Sequence, residues 1–305
     1  MNNLAPIVLF VYNRPDHTQK TLQALQKNTL AFDSELFIYA DAAKNNLVKQ
    51  QVDEVRTLIS NVSGFRNVTV IKQEINTGLA NSIIGGVTEI VNKYGKVIVL
   101  EDDLVTSPYF LAFMNSALDF YSTNKKIWHI SGWSYPIEIA ALDDTFLWRT
   151  MNCWGWATWS DRWKYFEKNT DKLIDGFTAK KINTFNLDGY EDFWGQVLAN
   201  KEEKINTWAI FWYASIFENK GLCLNPTETF VNNIGLDGSG VHCGANTSYL
   251  SKLNTKKSLN FETKIEESVI ALERIQLFYK RMKKSFIIRV INKVARILIK
   301  KNIVK

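Results

Sequence analysis

Three consecutive acids, Glu101-Asp102-Asp103, follow the apolar run Val97-Ile98-Val99-Leu100 and are the residues of this 305-residue chain best suited to chemistry. Crowded carboxylates repel one another, so a fold tolerates them only if positive charge sits among them. A hard divalent cation, Mg2+ or Mn2+, prefers carboxylate oxygen and can bridge such a cluster to a diphosphate. The plainer alternative is an acidic strand-to-helix turn in which Asp103 serves as a helix cap. Two further places offer titratable groups. Glu191-Asp192 precedes Phe193-Trp194, where acids also suit a helix N-terminus. The Gly-rich segment 232–246 carries Asp237 and His242, and His242 could reach a metal or a diphosphate from that loop. Cys153, Cys223 and Cys243 match no zinc spacing.

The elements that must position these residues alternate. Ile7 to Tyr12 is a continuous apolar run, the pattern of a strand covered on both faces, and Asn13-Arg14-Pro15-Asp16 breaks it. A helix follows from Thr18 to Lys27, then a strand from Leu36 to Ala40 that stops at Asp41. Another helix spans Leu47 to Val62, a third strand Val68 to Ile71, and Asn76-Thr77-Gly78 opens a helix through Ile90. The fourth strand, Val97 to Leu100, delivers the acids. Such a series predicts a mostly parallel sheet flanked by helices, with ligands beyond the carboxyl ends of its strands. Tyr12-Asn13, Asp41 and Glu101-Asp102-Asp103 all fall at those ends.

Beyond Pro108 the spacing becomes α+β: helices at 108–121, 192–200 and 209–219, and strands near 128–130, 146–149 and 222–224. All ten tryptophans lie between Trp128 and Trp212. That shift in composition suggests a first part at 1–125, a second at 126–262, and a helical extension at 263–305. Residues 264–301 read as one long helix, with Ile287, Val290, Ile291, Val294, Ile297 and Leu298 on one face. Residues 280–305 hold ten Lys or Arg and no acid, so the net charge of +6 belongs to this tail and the remainder is net acidic. That distribution argues against a nucleic-acid groove on the body. A basic amphipathic helix at 281–305 fits an anionic membrane surface. The three cysteines fit a reducing compartment, and no run is long and apolar enough to span a bilayer. The expected location is cytoplasmic, peripheral on the inner face of the cell membrane.

The segments Pro6-Ile-Val-Leu-Phe-Val-Tyr-Asn-Arg-Pro15, Asp41, Asn76-Thr-Gly-Leu-Ala80 and Val99-Leu-Glu-Asp-Asp103 together resemble the nucleotide-sugar half of GT-A-fold glycosyltransferases, especially the bacterial family 2-like group. The Glu-Asp-Asp form is also similar to the metal motif of eukaryotic N-acetylglucosaminyltransferases that act on N-glycans. Downstream, Trp154-Gly-Trp-Ala-Thr-Trp159 and Asn233-Ile-Gly-Leu-Asp-Gly-Ser-Gly-Val-His242 resemble sugar transferases of bacterial surface-polysaccharide clusters.

The resemblance implies an α/β, GT-A-like fold with an α+β acceptor region. It also implies transfer of a hexosyl or N-acetylhexosaminyl group from a nucleotide sugar, a UDP-sugar by preference, to a glycan or lipid-linked acceptor. Tyr12, Asn13 and Arg14 would border the base and diphosphate, and Asp41 would hydrogen-bond the base. Gly78 and Ala80 would let the chain pass close to the nucleoside. Asp103 would bind Mn2+ or Mg2+, with Glu101 and Asp102 on the nucleotide sugar. If the reaction inverts configuration, Asp192 with Glu191 would be the catalytic base, with Asp237 as competitor. The arginine-containing acceptor motif common in family 2 is not evident here. Trp133, Trp154, Trp156 and Trp159 could stack on sugar rings or pack in the core. The competing functions are a sugar nucleotidyltransferase, which would need a Gly-rich phosphate loop absent after the first strand, and a non-catalytic membrane scaffold.

Overall fold

The structure is a computed structural model that describes residues 4–237 and 248–283. Strand β1 (Ile7–Val11) is fully buried, as its unbroken apolar sequence requires. Pro15 at the first helical position, with its φ already set, starts α1 (Pro15–Gln26). Then come β2 (Glu35–Ala40), α2 (Lys49–Ile59), β3 (Asn67–Lys72), α3 (Leu79–Tyr94) and β4 (Lys96–Glu101). The short β5 (Leu104–Thr106) and α4 (Phe110–Phe120) follow the acids. The second half supplies β6 (Ile127–Ser131), β7 (Thr145–Trp148), β8 (Trp156–Trp159), α5 (Ser160–Trp163), α6 (Thr170–Gly176), α7 (Ala179–Phe185), α8 (Trp194–Lys201), α9 (Ala209–Glu218), β9 (Leu222–Pro226) and β10 (Val231–Asn233).

Eight strands form one sheet in the order β3-β2-β1-β4-β8-β6-β9-β7. The β1–β2, β1–β4, β2–β3 and β6–β9 pairs are parallel, while β8 runs against β4 and β6, and β7 against β9. The fold is therefore the mixed, mostly parallel α/β sheet flanked by helices that the alternation predicts. Residues before and after 125 share it through the β4–β8 ladder.

Two differences from the expected elements matter for the site. Trp156–Trp159 is not a surface aromatic motif but a buried strand at the centre of the sheet. Trp156 stacks on Trp208 and His129, with ring centroids 5.1 and 5.3 Å apart, so it is core and not an acceptor platform. A small second sheet also forms, in which β10 pairs antiparallel with β5 and Asn233 lies opposite Leu104. At the C-terminal end, residues 269–283 are helical while 264–268 are not, so the expected helix starts later than its apolar pattern suggests. Its continuation to 301 lies outside the described residues. Among the described residues, no helix is long and apolar enough to cross a membrane.

Candidate functional site

The carboxyl ends of β1, β2 and β4 bring Tyr12-Asn13-Arg14, Asp41 and Glu101-Asp102-Asp103 to one edge of the sheet. The register aligns Phe10 with Glu101, so the β1 turn lies beside the acids. Helix α1 fixes this junction from below, because the Thr21 hydroxyl donates to the Asp102 carbonyl at 2.8 Å.

Arg14 is the cation among the acids. Its guanidinium bonds Asp102 and donates to Asp103 Oδ2 at 3.0 Å. Burial works against the charge on Arg14, but the two carboxylates outweigh it and raise its pKa. One guanidinium does not balance three carboxyls. Desolvation, reinforced by Asp103 and Asp102, pushes Glu101 up to about 8. Desolvation also lifts Asp102 to about 6, against the pull of Arg14 and the Tyr12 backbone N–H. Among the described residues the Glu101 carboxylate has no hydrogen-bond donor. The cluster therefore lacks positive charge, which is the condition that a hard cation relieves.

No three His, Cys, Asp or Glu side chains among the described residues form a ready metal cage. A Mg2+ or Mn2+ site completed by substrate phosphates needs only one or two protein carboxylates, and Asp102 and Asp103 meet that need. His242, the remaining expected ligand, lies outside the described residues.

Residue Gly235 closes the site from the side, and the sequence reading gave it no role. The β5–β10 ladder runs on into an Ile234 N–H to Asp103 carbonyl bond of 2.8 Å. This lays Gly235 on the acids, where a Cβ would overlap the Asp103 carboxylate and come within 2.8 Å of Arg14 Nη1. Only the pairing of β5 with β10 reveals this contact. Next to it, Asp237 lies 3.2 Å from His17 Nε2 on α1. Asp237 follows Gly235, which meets Asp103 and Arg14, by two residues.

Asp41 has a different task from the one expected. Its Oδ1 accepts from the Ala42 and Thr77 N–H groups, each at 2.9 Å. Its Oδ2 accepts from the Gly78 N–H at 2.9 Å and Asn76 Nδ2 at 3.0 Å. Four donors fill the four lone-pair directions of a carboxylate. Asp41 therefore holds the Asn76–Gly78 turn instead of reading a base. That turn needs glycine, because Gly78 has φ +76, and the space next to its Cα is open. Ala80 is buried in the core. Tyr12 is tied to the loop after β2, its hydroxyl accepting from the Lys44 N–H at 3.1 Å. The half-buried Asn13 side chain makes no hydrogen bond within the described residues.

Among the described residues, no hydrogen bond or ion pair joins the second acidic pair to the triplet. Asp192 is exposed and accepts from the Gly195 N–H at 3.0 Å, the bond that caps the start of α8. Glu191 Oε1 accepts from the Asp192 N–H. Burial above all, with the charge of Glu191 a lesser contributor, raises the pKa of the Tyr135 and Tyr279 hydroxyls.

Trp154 lies just before β8, the strand that pairs with β4. The antiparallel register of β4 and β8 ends at Val99 opposite Trp156, two residues short of Trp154. Trp154 is half-buried, edge-on to Trp133 at 4.8 Å and to Tyr249 at 5.7 Å. Trp133 itself is buried, and among the described residues neither its indole N–H nor the neighbouring buried Ser134 hydroxyl has a partner. Trp159 is core, its indole donating to the Leu118 carbonyl at 3.1 Å.

No protein-family model matches the sequence, and no curated protein does. Solved structures match it in outline. A mannosyltransferase from Pyrobaculum calidifontis, solved with GDP-Man and Mn2+, is 9% identical over 72% of this chain and 70% of its own, at a TM-score of 0.38. S. aureus TarS, residues 1–349, is 10% identical over 74% of this chain and 59% of its own, at 0.41. Mouse xyloside xylosyltransferase 1 is 10% identical over 71% of this chain and 82% of its own, at 0.36. What the carboxylates of this chain can do follows from their own surroundings.

Proposed function

We propose that the chain is a metal-dependent glycosyltransferase that moves a sugar from a nucleotide-diphosphate sugar, a UDP-sugar by preference, to a glycan or lipid-linked acceptor. The observation that carries this reading is the charge deficit at Glu101-Asp102-Asp103, where Arg14 answers two carboxylates and Glu101 has no partner. It lies at the carboxyl ends of parallel strands, where open α/β sheets bind ligands.

The roles follow from placement. Asp103 and Asp102 would hold Mn2+ or Mg2+, whose chemistry is to neutralise charge on the departing nucleoside diphosphate. Arg14, already within reach of both carboxylates, supplies a second positive charge on the diphosphate side. The open face at Gly78, rigid because Asp41 grips the turn, admits the nucleoside. Glu101, beside Asp102 and Asp103, would contact the nucleotide sugar. Trp154 offers a ring face to a sugar, and the unpaired Trp133 N–H and Ser134 hydroxyl are buried polar groups that need partners. For an inverting reaction the base is Asp192, with Glu191 beside it, or Asp237. Its contact with His17 next to Arg14 favours Asp237 on geometry.

The test is thermal denaturation with UDP in the presence and absence of Mn2+. UDP with Mn2+ raises the melting temperature; UDP alone gives a smaller rise, and Asp103→Ala removes the Mn2+-dependent part. An unchanged Mn2+-dependent rise in the variant would remove the acids from the donor site.

A further inference from the structure

The aromatic cluster at Trp154 extends through Tyr249 to the C-terminal helix. Phe278, on helix 269–283, packs on Tyr249 at 5.5 Å and on Tyr135 at 5.6 Å. The neighbouring Tyr279 hydroxyl shares a 2.8 Å hydrogen bond with the Tyr135 hydroxyl. Tyr135 in turn lies 4.6 Å from Trp133, so one chain of ring contacts connects the helix to the wall at Trp154. The segment before the helix is fastened as well. Glu267 takes a forked ion pair from Arg149, with the Arg149 Nη2 to Glu267 Oε2 bond at 2.6 Å. Gln276 donates to the Leu187 carbonyl at 3.3 Å and to Asp188 Oδ2 at 3.1 Å.

The helix has two faces. Ala271 and Ile275 are fully buried against the body. On the outer side, Ile270 and Leu277, two turns apart, are 41% and 48% exposed, and Val269 is 65% exposed. Leu250, next to Tyr249, is a further exposed apolar side chain. Glu273 stands between Ile270 and Leu277 and is the one acid of residues 269–283. Past it come Lys280, Arg281 and Lys283, all exposed, and the sequence then continues basic to its end without an acid. Apolar side chains beside a wholly basic run are the complement of a bilayer with anionic headgroups, which attract each cation near the surface.

We infer that the outer face of helix 269–283, with Leu250, is part of the surface that docks on an anionic lipid bilayer. Tyr249, next to Leu250, then ties this surface to the ring of Trp154. The docking stands independently of the transferase reading. If both hold, the acceptor subsite opens toward the bilayer and suits a sugar carried on a lipid.

The test uses the full chain, sedimented with phosphatidylcholine vesicles that contain or lack phosphatidylglycerol, the lipids also being used in brominated form to quench nearby tryptophan. Expected are binding to the phosphatidylglycerol vesicles alone, and quenching that is measurably smaller in Trp154→Phe. Leu277→Glu, at an exposed position that leaves the core intact, weakens binding several-fold while the UDP- and Mn2+-dependent melting shift persists. Absence of binding overturns the inference. So does binding indifferent to Leu277→Glu, or quenching that is the same in Trp154→Phe, since the tail alone would then make the contact. Loss of the melting shift with quenching intact would instead remove the transferase reading and leave the docking surface in place.

Discussion

At the scale of single residues, the site is a problem of charge. Arg14 satisfies Asp102 and Asp103, but Glu101 stays desolvated beside both, and its proton is held up to about pH 8. A neutral isostere removes that conflict. Glu101→Gln should stabilise the metal-free protein near pH 8 by roughly 1–3 kcal/mol, well under the full shift because the site relaxes. Chemical denaturation of the two proteins in chelator measures this directly; an equal or lower stability for the variant would mean that Glu101 is not strained. Gly235 gives the opposite result. A methyl group there runs into the Asp103 carboxylate, so Gly235→Ala should cost about 1–3 kcal/mol and reduce the Mn2+-dependent UDP melting shift. Retention of the full shift would show that the 233–237 segment can yield without disturbing Asp103.

At the scale of elements, the four donors on Asp41 make the Asn76–Gly78 turn an extension of β2. Asp41→Asn keeps the shape but turns one acceptor into a donor facing N–H groups. It should cost about 1–3 kcal/mol and loosen nucleotide binding more than metal binding, which titration calorimetry with UDP and Mn2+ separates. A variant with normal UDP affinity would detach the turn from the nucleoside. The reason this role was illegible in the sequence is instructive. The alternation of apolar runs and helices placed Asp41 and Asn76-Thr77-Gly78 at neighbouring strand ends correctly, since buried parallel strands leave few other arrangements. Which donors a carboxylate meets depends on loop geometry that carries no period. The same limit explains Trp156. Its sequence leaves sugar stacking and core packing both open; the Trp156–Trp159 run is a strand between β4 and β6, and four residues are too few to show a strand by alternation. The acids at the end of β4 were legible because a buried strand ending in three carboxylates has few structural explanations.

For the whole molecule, the buried His129 should set the behaviour in acid. It lies in the core between Trp156 and the Asn152 carbonyl, and its ring nitrogens are both engaged, Nε2 with that carbonyl at 3.0 Å and Nδ1 accepting from the Trp212 indole at 3.2 Å. Desolvation lowers its pKa from 6.5 to about 3, with the Asn152 carbonyl opposing. The folded state thus keeps His129 neutral, while the unfolded chain takes a proton on it below pH 6.5. The contribution of His129 is therefore complete above pH 6.5 and is lost as pH falls toward 3, by up to about 1.4 kcal/mol per pH unit. Glu101 has the reverse sign, because its folded pKa is raised: its contribution is complete below 4.5 and lost as pH rises through about 8. Asp102, raised from 3.8 to about 6, has the same sign as Glu101. For these three groups together, stability of the metal-free protein should rise as pH falls from 8 to 6.5 and stay level to 6. It should rise again to about 4.5, where the two carboxyls outweigh His129, and decline only below 3.8, where His129 alone still differs between the two states. Melting temperatures across that range should show this shape. Glu101→Gln should remove the alkaline limb, and His129→Gln, which keeps a donor and an acceptor, should remove the acid one. An acid limb unchanged in His129→Gln would place its origin among the carboxylates that hold the loops, with Asp144 and Asp161, both held below the usual carboxylate range by their partners, as the next to replace.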